Sequence, residues 1–224
     1  MCPSVPVRPG PGRSGSNKPV IIGAVVAVLV LGWILWPSPL SGVRNLDSAG
    51  ASIVAFGDSL TAGYGAAKGQ DYPSVLSSGI GESIINAGVN GDTTESAMKR
   101  LDAEVIARRP RIVIVGLGGN DYLRRVPIAT TESNLRTIVR RIQEGGSAVI
   151  LLGFQFPSIQ ANYDSMYQRV AKDEGALLVP DMLDGILSNP SLKSDEIHPN
   201  DAGYALMADR ARKPLERLIS RIDS

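Results

Sequence analysis

The sequence has little cysteine, little histidine and almost no net charge, and each shortage excludes a class of protein. Cys2 is the only cysteine, so the chain cannot form an intrachain disulfide. His198 is the only histidine, which argues against metal sites that need several histidine ligands. A formal net charge of +1 provides no basic surface for nucleic acid. Walker loops and dinucleotide-binding glycine patterns are also missing, so we expect no metal, no cofactor and no nucleic acid partner.

Charge is also missing from the whole of residues 19–43. Positions 20–36 are mostly Val, Ile, Leu, Ala and Trp, and as a helix they would measure about 25 Å, enough to span a bilayer with help from the flanks. Basic residues precede this stretch, so the positive-inside rule predicts a cytoplasmic N-terminus and an exported domain. The predicted organisation is a disordered basic tail at 1–18, a transmembrane signal anchor at 19–40, a tether at 41–50 and a folded domain at 51–224.

Short apolar runs alternate with longer amphipathic segments throughout the domain. Continuous apolar runs are typical of strands in a parallel sheet that is covered on both faces. The alternation predicts a doubly wound α/β sandwich with a five-stranded parallel sheet, whose sites form at the carboxyl ends of the strands. The predicted strands are 52–56, 83–86, 111–115, 148–152 and 176–179, and the predicted helices are 93–108, 130–144, 163–174 and 202–219.

Polar motifs follow four of these strands and are therefore expected to converge on one edge of the sheet. Each alone has an ordinary interpretation: a serine that caps a helix, an Asn-Gly turn, or an acid in a loop. Together they have the residue types, and the positions at strand ends, that a hydrolytic site requires. The motifs are Gly57-Asp58-Ser59-Leu60, Asn90-Gly91-Asp92, Gly118-Gly119-Asn120-Asp121 and Asp195-Glu196-Ile197-His198-Pro199.

These motifs, in this order, resemble the GDSL esterases, also called SGNH hydrolases. The resemblance covers essentially all of residues 51–220. It is strongest to the bacterial thioesterase I/lysophospholipase/arylesterase branch, to which Ala161-Asn162-Tyr163 adds. It implies a flavodoxin-like three-layer α/β/α sandwich, and it assigns catalytic roles to Ser59, Asp195 and His198 and oxyanion-hole roles to Ser59, Gly91 and Asn120.

The chemistry of these side chains agrees with the roles that the resemblance implies. Ser59 is a weak nucleophile until a base removes its proton, and neutral His198 is suited to that task. Asp195, three residues earlier, would hold the imidazole in the correct tautomer. The backbone N–H groups of Ser59 and Gly91 and the Asn120 amide would stabilise the oxyanion. The sequence therefore predicts an acyl-enzyme mechanism without a metal or cofactor.

For a bacterial chain, the predicted anchor implies a single-pass protein of the inner membrane with its catalytic domain in the periplasm. A released periplasmic form would follow if the N-terminal segment were cleaved. The resemblance implies lysophospholipids, thioesters, or short acyl and aryl esters as substrates, and the sequence indicates neither a protein partner nor an oligomeric state. Substrate-binding candidates, for which ordinary packing is an equal alternative, are Tyr122, Leu123, Val126, Phe154, Phe156 and Ile159.

The sequence leaves two related enzyme activities and one non-enzymatic function open. An O-acetyl esterase that acts on envelope polysaccharide would use the same triad, and acyl transfer to an alcohol would use the same acyl-enzyme. A non-catalytic, membrane-anchored binding module is the alternative from another class. The α/β-hydrolase elbow Gly-x-Ser-x-Gly is excluded, because Thr61 stands at its last position.

Overall fold

The structure is a computed structural model that describes Met1, residues 40–155 and residues 162–224. The predicted N-terminal tail and almost all of the predicted membrane helix lie outside these residues, as do Phe156 and Ile159. Within the part of the chain that is described, no helix is both long and apolar enough to cross a bilayer.

Among the described residues, five strands form one parallel sheet with the order β2-β1-β3-β4-β5. This is the flavodoxin-like order, in which the chain reverses direction across the sheet after β2 and leaves a switch point between β1 and β3. The predicted five-stranded parallel sheet is confirmed. The strands are β1 (Ile53–Gly57), β2 (Ile84–Gly88), β3 (Ile112–Gly116), β4 (Ala148–Leu152) and β5 (Leu177–Val179).

The burial of each strand follows its place in the sheet. Every residue of β1, β3 and β4 is buried, because these central strands are covered on both faces. The edge strand β2 buries only Ile84 and Ala87. The first three strands begin and end at least one residue later than predicted, and each ends at a glycine, a residue whose low strand propensity marks it as a boundary in sequence.

Helices connect the strands, and the described residues contain seven α-helices and two short 3₁₀ turns. Four of the helices correspond to predicted ones. The prediction missed α1, α2 and α4, of which α1 and α4 are single turns inside segments that resemble loops. The helices are α1 (Ser59–Ala62), α2 (Tyr72–Ile80), α3 (Thr94–Glu104), α4 (Gly119–Leu123), α5 (Ile128–Glu144), α6 (Asn162–Glu174) and α7 (Asp201–Ile222).

The sequence does contain a start signal for the missed helix α2. Asp71 is its N-cap and accepts a hydrogen bond from the Ser74 N–H at 3.0 Å, and Pro73 lies in the first turn. The three serines and one glycine of this short helix leave little apolar periodicity, which is why its pattern resembles a loop.

The helices form two groups, one for each face of the sheet. Helices α2 and α7 pack against each other, and α3, α5 and α6 form a second packed series. Right-handed crossovers place the helix that joins β1 to β2 on one face and the helices that join the later strands on the other. Helix α7, which follows the last strand, returns to the face of α2. The result is a three-layer α/β/α sandwich with the strand core in the middle.

Residues 40–50, predicted to be mostly tether, pack against this sandwich, and the folded unit begins at Leu40. The Arg44 N–H donates to the Gly175 carbonyl at 3.0 Å. The Asn45 amide donates to the carbonyls of Gln143 and Ser147 at 2.8 and 2.9 Å. These partners precede β4 and β5, so the segment lies at the amino ends of the strands, whereas the polar motifs lie at the carboxyl ends.

Candidate active site

The serine of the first motif lies at the sharp turn that joins β1 to α1. Gly57 ends the strand, Asp58 caps the helix, and Ser59 is the first helical residue. Asp58 Oδ1 accepts a hydrogen bond from the Leu60 N–H at 3.0 Å, which closes the turn. The turn holds the Ser59 side chain at the carboxyl end of β1, beside the switch point of the sheet.

The histidine and the acid come from a loop that precedes α7, and they reach the serine across the end of the sheet. His198 Nε2 lies 3.0 Å from Ser59 Oγ, and His198 Nδ1 lies 2.8 Å from Asp195 Oδ2. A carboxylate beside Nδ1 favours the tautomer with its proton there, which leaves the Nε2 lone pair free to accept the Ser59 proton. The three predicted catalytic side chains therefore form one continuous hydrogen-bonded chain.

Asp195 has two functions within its own loop. Its Oδ1 accepts hydrogen bonds from the N–H groups of Ile197 and His198 at 2.9 and 2.8 Å, while Oδ2 contacts the imidazole. Partial burial acts to raise the pKa of this carboxyl, but the three hydrogen bonds outweigh it and hold the pKa below its usual value. Asp195 is therefore ionised at neutral pH, and it both shapes the loop and orients the His198 imidazole.

Donors suited to an oxyanion surround the serine. Gly91 has φ +79°, a left-handed conformation that favours glycine. Among the described residues, no hydrogen bond engages the N–H of Ser59 or of Gly91. Asn120 Nδ2 donates to the Asp92 carbonyl at 3.0 Å and lies 3.4 Å from Asp58 Oδ2. The second contact is long and weak, so one amide proton of Asn120 remains available for a ligand.

Buried carboxylates lie beneath these donors. Asp92 is paired with Arg100 at 2.6 Å, and Asp121 accepts hydrogen bonds from the Thr94 N–H and hydroxyl at 2.9 and 2.6 Å. Burial raises the pKa of Asp58 to about 7; the Leu60 N–H and Asn120 lower it, while the nearby charges of Asp92 and Asp121 raise it further. The raised pKa of Asp58 was not predicted from the sequence, since it results from burial, which is a property of the fold.

A cavity of about 380 Å³ opens beside the serine. Ser59, Asn120 and His198 lie at its polar part, and the rest of its wall is mainly apolar. The apolar side chains that line it come from α1, from α4 and from the segment between β5 and α7; they are Leu60, Tyr122, Leu123, Leu183, Leu187 and Ile197.

Only some of the predicted substrate-binding residues line the cavity. Tyr122 and Leu123 line the cavity, whereas the described lining does not include Val126. Phe154 is instead fully buried and packs edge-on against Tyr167, with ring centroids 6.1 Å apart, because the chain leaving β4 turns into the core. Phe156 and Ile159 lie outside the described residues.

The prediction also missed much of the cavity wall. Leu60, adjacent to the serine, was quoted as part of a motif but was given no binding role. Leu183, Leu187 and Ile197 belong to a segment of turns and one 3₁₀ turn, where no helical or strand periodicity marks a buried face. The spacing of four between Leu183 and Leu187 is the one available signal, and it is weak in isolation.

Known proteins share sequence similarity with most of this domain. The model of the GDSL-like Lipase/Acylhydrolase family matches residues 55–206. "Thioesterase 1/protease 1/lysophospholipase L1" of Escherichia coli (strain K12) is 30% identical over 184 residues, which cover 77% of this chain and 87% of that protein.

Solved structures agree with these sequence matches. The crystal structure of TesA has 28% sequence identity and a TM-score of 0.70, over 75% of this chain and 99% of the other. The psychrotrophic esterase EstA from Pseudoalteromonas sp., in a structure inhibited by monoethylphosphonate, has 25% identity and a TM-score of 0.69, over 75% of this chain and 98% of the other. The resemblance inferred from the motifs is therefore confirmed.

Proposed function

Because this chain belongs to the GDSL-like lipase/acylhydrolase family and is an ester-bond hydrolase, we propose that it works as a serine esterase with the triad Ser59, His198 and Asp195. The observation that carries the proposal is the pair of contacts made by the imidazole, 3.0 Å to Ser59 Oγ and 2.8 Å to Asp195 Oδ2. These are the distances required for a base that is itself oriented by a carboxylate.

In the first half of the reaction, Ser59 Oγ attacks the acyl carbonyl while His198 Nε2 takes its proton. The tetrahedral intermediate carries a negative charge on oxygen, which the N–H groups of Ser59 and Gly91 and the Asn120 amide stabilise. Removing one such donor typically raises the barrier by about 3 to 4 kcal/mol. The imidazolium then protonates the leaving alcohol or thiol, and an acyl-enzyme on Ser59 results.

In the second half, a water molecule takes the place of the leaving group. His198 removes a proton from this water, which attacks the acyl carbonyl through a second tetrahedral intermediate. Collapse of that intermediate returns the proton to Ser59 Oγ and releases the carboxylic acid. Asp195 stays ionised throughout and stabilises the imidazolium in both halves.

The cavity supports a substrate with an acyl chain longer than acetyl. The cavity has a mainly apolar wall and a volume of about 380 Å³, far more than a single methyl group fills. An acyl chain that replaces water along Leu183, Leu187 and Ile197 gains the free energy of apolar burial. Since the E. coli relative is named a thioesterase and lysophospholipase, we propose lysophospholipids, acyl thioesters and short acyl or aryl esters as substrates.

We also propose that the uncharged N-terminal segment anchors the enzyme to the bacterial inner membrane, with the catalytic domain in the periplasm. The support is the absence of charge from residues 19–43 and the basic residues that precede them. The full-length chain should sediment with membranes, and external protease should cleave it in spheroplasts but spare it in intact cells. Recovery of the full-length chain in the soluble cytoplasmic fraction would contradict the anchor.

The nucleophile is tested by labelling the full-length chain with a serine-directed phosphonate. Ser59→Ala should abolish both labelling and ester hydrolysis. Ser78→Ala, a matched change on the exposed face of α2, should preserve both. Labelling that persists in the Ser59 variant would refute the assignment.

The acyl group is tested with an ester series from two to sixteen carbons. The size of the cavity predicts an optimum longer than acetyl. Activity confined to acetyl esters would instead favour the polysaccharide O-acetyl esterase. An absence of hydrolysis with every ester would favour a binding module.

A further inference from the structure

Tyr64 packs directly on His198, although Tyr64 is not a member of the proposed triad. Its ring centroid lies 4.5 Å from that of the His198 imidazole, and the two planes are tilted by 44°. The imidazole is bound at both ring nitrogens, but these hydrogen bonds lie in the ring plane. The tyrosine ring covers a face of the imidazole, which the hydrogen bonds do not restrain.

The backbone of Tyr64 is attached to the nucleophile turn and to the core. The Tyr64 N–H donates to the Ser59 carbonyl at 3.0 Å, at the point where Gly63 ends α1. The Tyr64 carbonyl accepts a hydrogen bond at 2.8 Å from the hydroxyl of the fully buried Tyr204 on α7. The position of Tyr64, which contacts His198, is therefore fixed relative to Ser59.

Residues beyond Tyr64 also contact the loop that carries the base. A Cβ at Gly65 would collide with the Ser194 side chain and lie 3.0 Å from the Pro199 carbonyl oxygen. The Ala67 N–H donates to Asp201 Oδ1 at 2.8 Å. The base loop is thus in contact with this segment on both sides of His198.

The exposure of the base loop explains why such a contact matters. Residues 194–197 are exposed, and the Asp195 side chain retains 44% of its accessible surface. The face of an aromatic ring also attracts a cation, and His198 becomes an imidazolium in each half of the reaction. A tyrosine ring in this place is able to restrain the imidazole and to contact the imidazolium formed during the reaction.

We propose that Tyr64 is a positioning residue, whose ring holds the His198 imidazole towards Ser59 and stabilises the imidazolium. The inference rests on the proposed function, in which His198 is the base. The effect belongs to the ring and not to the hydroxyl, because the ring supplies the contact with the imidazole.

Three substitutions separate the contributions of the hydroxyl, the aromatic ring and the apolar bulk of Tyr64. Tyr64→Phe keeps the ring and should retain kcat within about 2-fold. Tyr64→Leu keeps apolar bulk without the ring, and Tyr64→Ala removes both. Each of these two should lose about 3- to 30-fold in kcat, the range of a cation–π contact, with KM within about 2-fold. Leu206→Ala, on the exposed side of α7, is the control and should leave both constants unchanged.

A second measurement reports on the imidazole itself. The chain has a single histidine, so the Cε1–H signal of the full-length protein labelled with ¹³C-histidine is unique. The signal should keep its position in Tyr64→Phe and shift in Tyr64→Leu, as the ring is lost. An unchanged signal in Tyr64→Leu, or equal kcat in the Phe and Leu variants, would overturn the proposal. Phosphonate labelling of Ser59 in the same samples distinguishes that outcome from a failure of the proposed function itself.

Discussion

The two halves of the candidate site are built in different ways. The oxyanion side, comprising Ser59, Gly91 and Asn120, follows three adjacent strands and lies above the buried carboxylates Asp58, Asp92 and Asp121. The base side, residues 195–199, is one mostly exposed loop before α7. The oxyanion side depends on the packing of three strands, whereas the base side depends mainly on a few local hydrogen bonds.

Arg100 shows how far the oxyanion side extends into the fold. From α3, its guanidinium donates to Asp92 at 2.6 Å and to the carbonyls of Gly57 and Ala87 at 2.9 Å each, and it lies 4.4 Å from the centroid of the Phe56 ring. One side chain thereby joins a helix to β1, to β2 and to the loop of Gly91. A change here disturbs stability together with activity.

The base side has a smaller set of supports. Asp195 accepts hydrogen bonds from the N–H groups of Ile197 and His198, and the Ser194 N–H donates to the His198 carbonyl at 2.9 Å. Tyr64 adds a contact from outside the loop. We therefore expect activity and stability to be separable on the base side and coupled on the oxyanion side, and three experiments test this expectation.

The largest expected effect is on the base side. His198→Ala should lower kcat/KM by about 10⁴-fold or more, as loss of the base does in triad hydrolases. The midpoint of thermal unfolding should change little, because the loop keeps the hydrogen bonds of Asp195 and Ser194 to backbone N–H and carbonyl groups. Steady-state kinetics and calorimetry on the same sample measure both. A large fall in the midpoint would show that the base loop does support the fold.

The next effect is a pH dependence of stability from the oxyanion side. The pKa of Asp58 is about 7 in the folded protein and 3.8 when exposed, so the folded state retains this proton longer as pH rises. Stability from this group is full below pH about 4 and is lost as pH rises towards 7. Between pH 4.5 and 7.5 the wild type should lose about 3 kcal/mol of unfolding free energy through Asp58.

Asp58→Asn is the matched variant for this measurement. Its amide oxygen can still accept the Leu60 N–H, but the side chain no longer titrates. Urea unfolding at the two pH values should therefore show a loss that is about 3 kcal/mol smaller in the variant than in the wild type. Identical losses would mean that Asp58 does not retain its proton.

The smallest of the three effects concerns Asp121. Asp121→Ala would leave the buried N–H and hydroxyl of Thr94 without their acceptor, and should lower the unfolding free energy by about 2 to 3 kcal/mol. Asp195→Ala, the acid of the base side, should lower it by less, about 1 kcal/mol, because the site is partly exposed and water can hydrogen-bond the N–H groups of Ile197 and His198 in place of the carboxylate. Urea unfolding at neutral pH compares the two. Equal losses would remove the distinction between the two sides.

Much of this arrangement could be predicted along the chain. The strands of the central sheet were predictable because a strand covered on both faces is apolar at every position, as in 112–116. The meeting of the motifs followed, because parallel strands end at one edge. Helix α2 and the wall formed by Leu183 and Leu187 were not predictable, since caps, turns and contacts with distant residues define them more than periodicity does.

The proposed chemistry can be identified from residue types alone: one histidine, one acid three residues before it, and a serine after the first strand, with no second histidine to offer another base. Contacts between distant segments set the surroundings of these side chains, namely the cavity wall, the raised pKa of Asp58 and the tyrosine ring against His198. Residue type is local information, whereas burial and packing arise only when segments far apart in the chain come into contact. Tyr64 and His198, 134 positions apart in sequence and 4.5 Å apart in space, illustrate both.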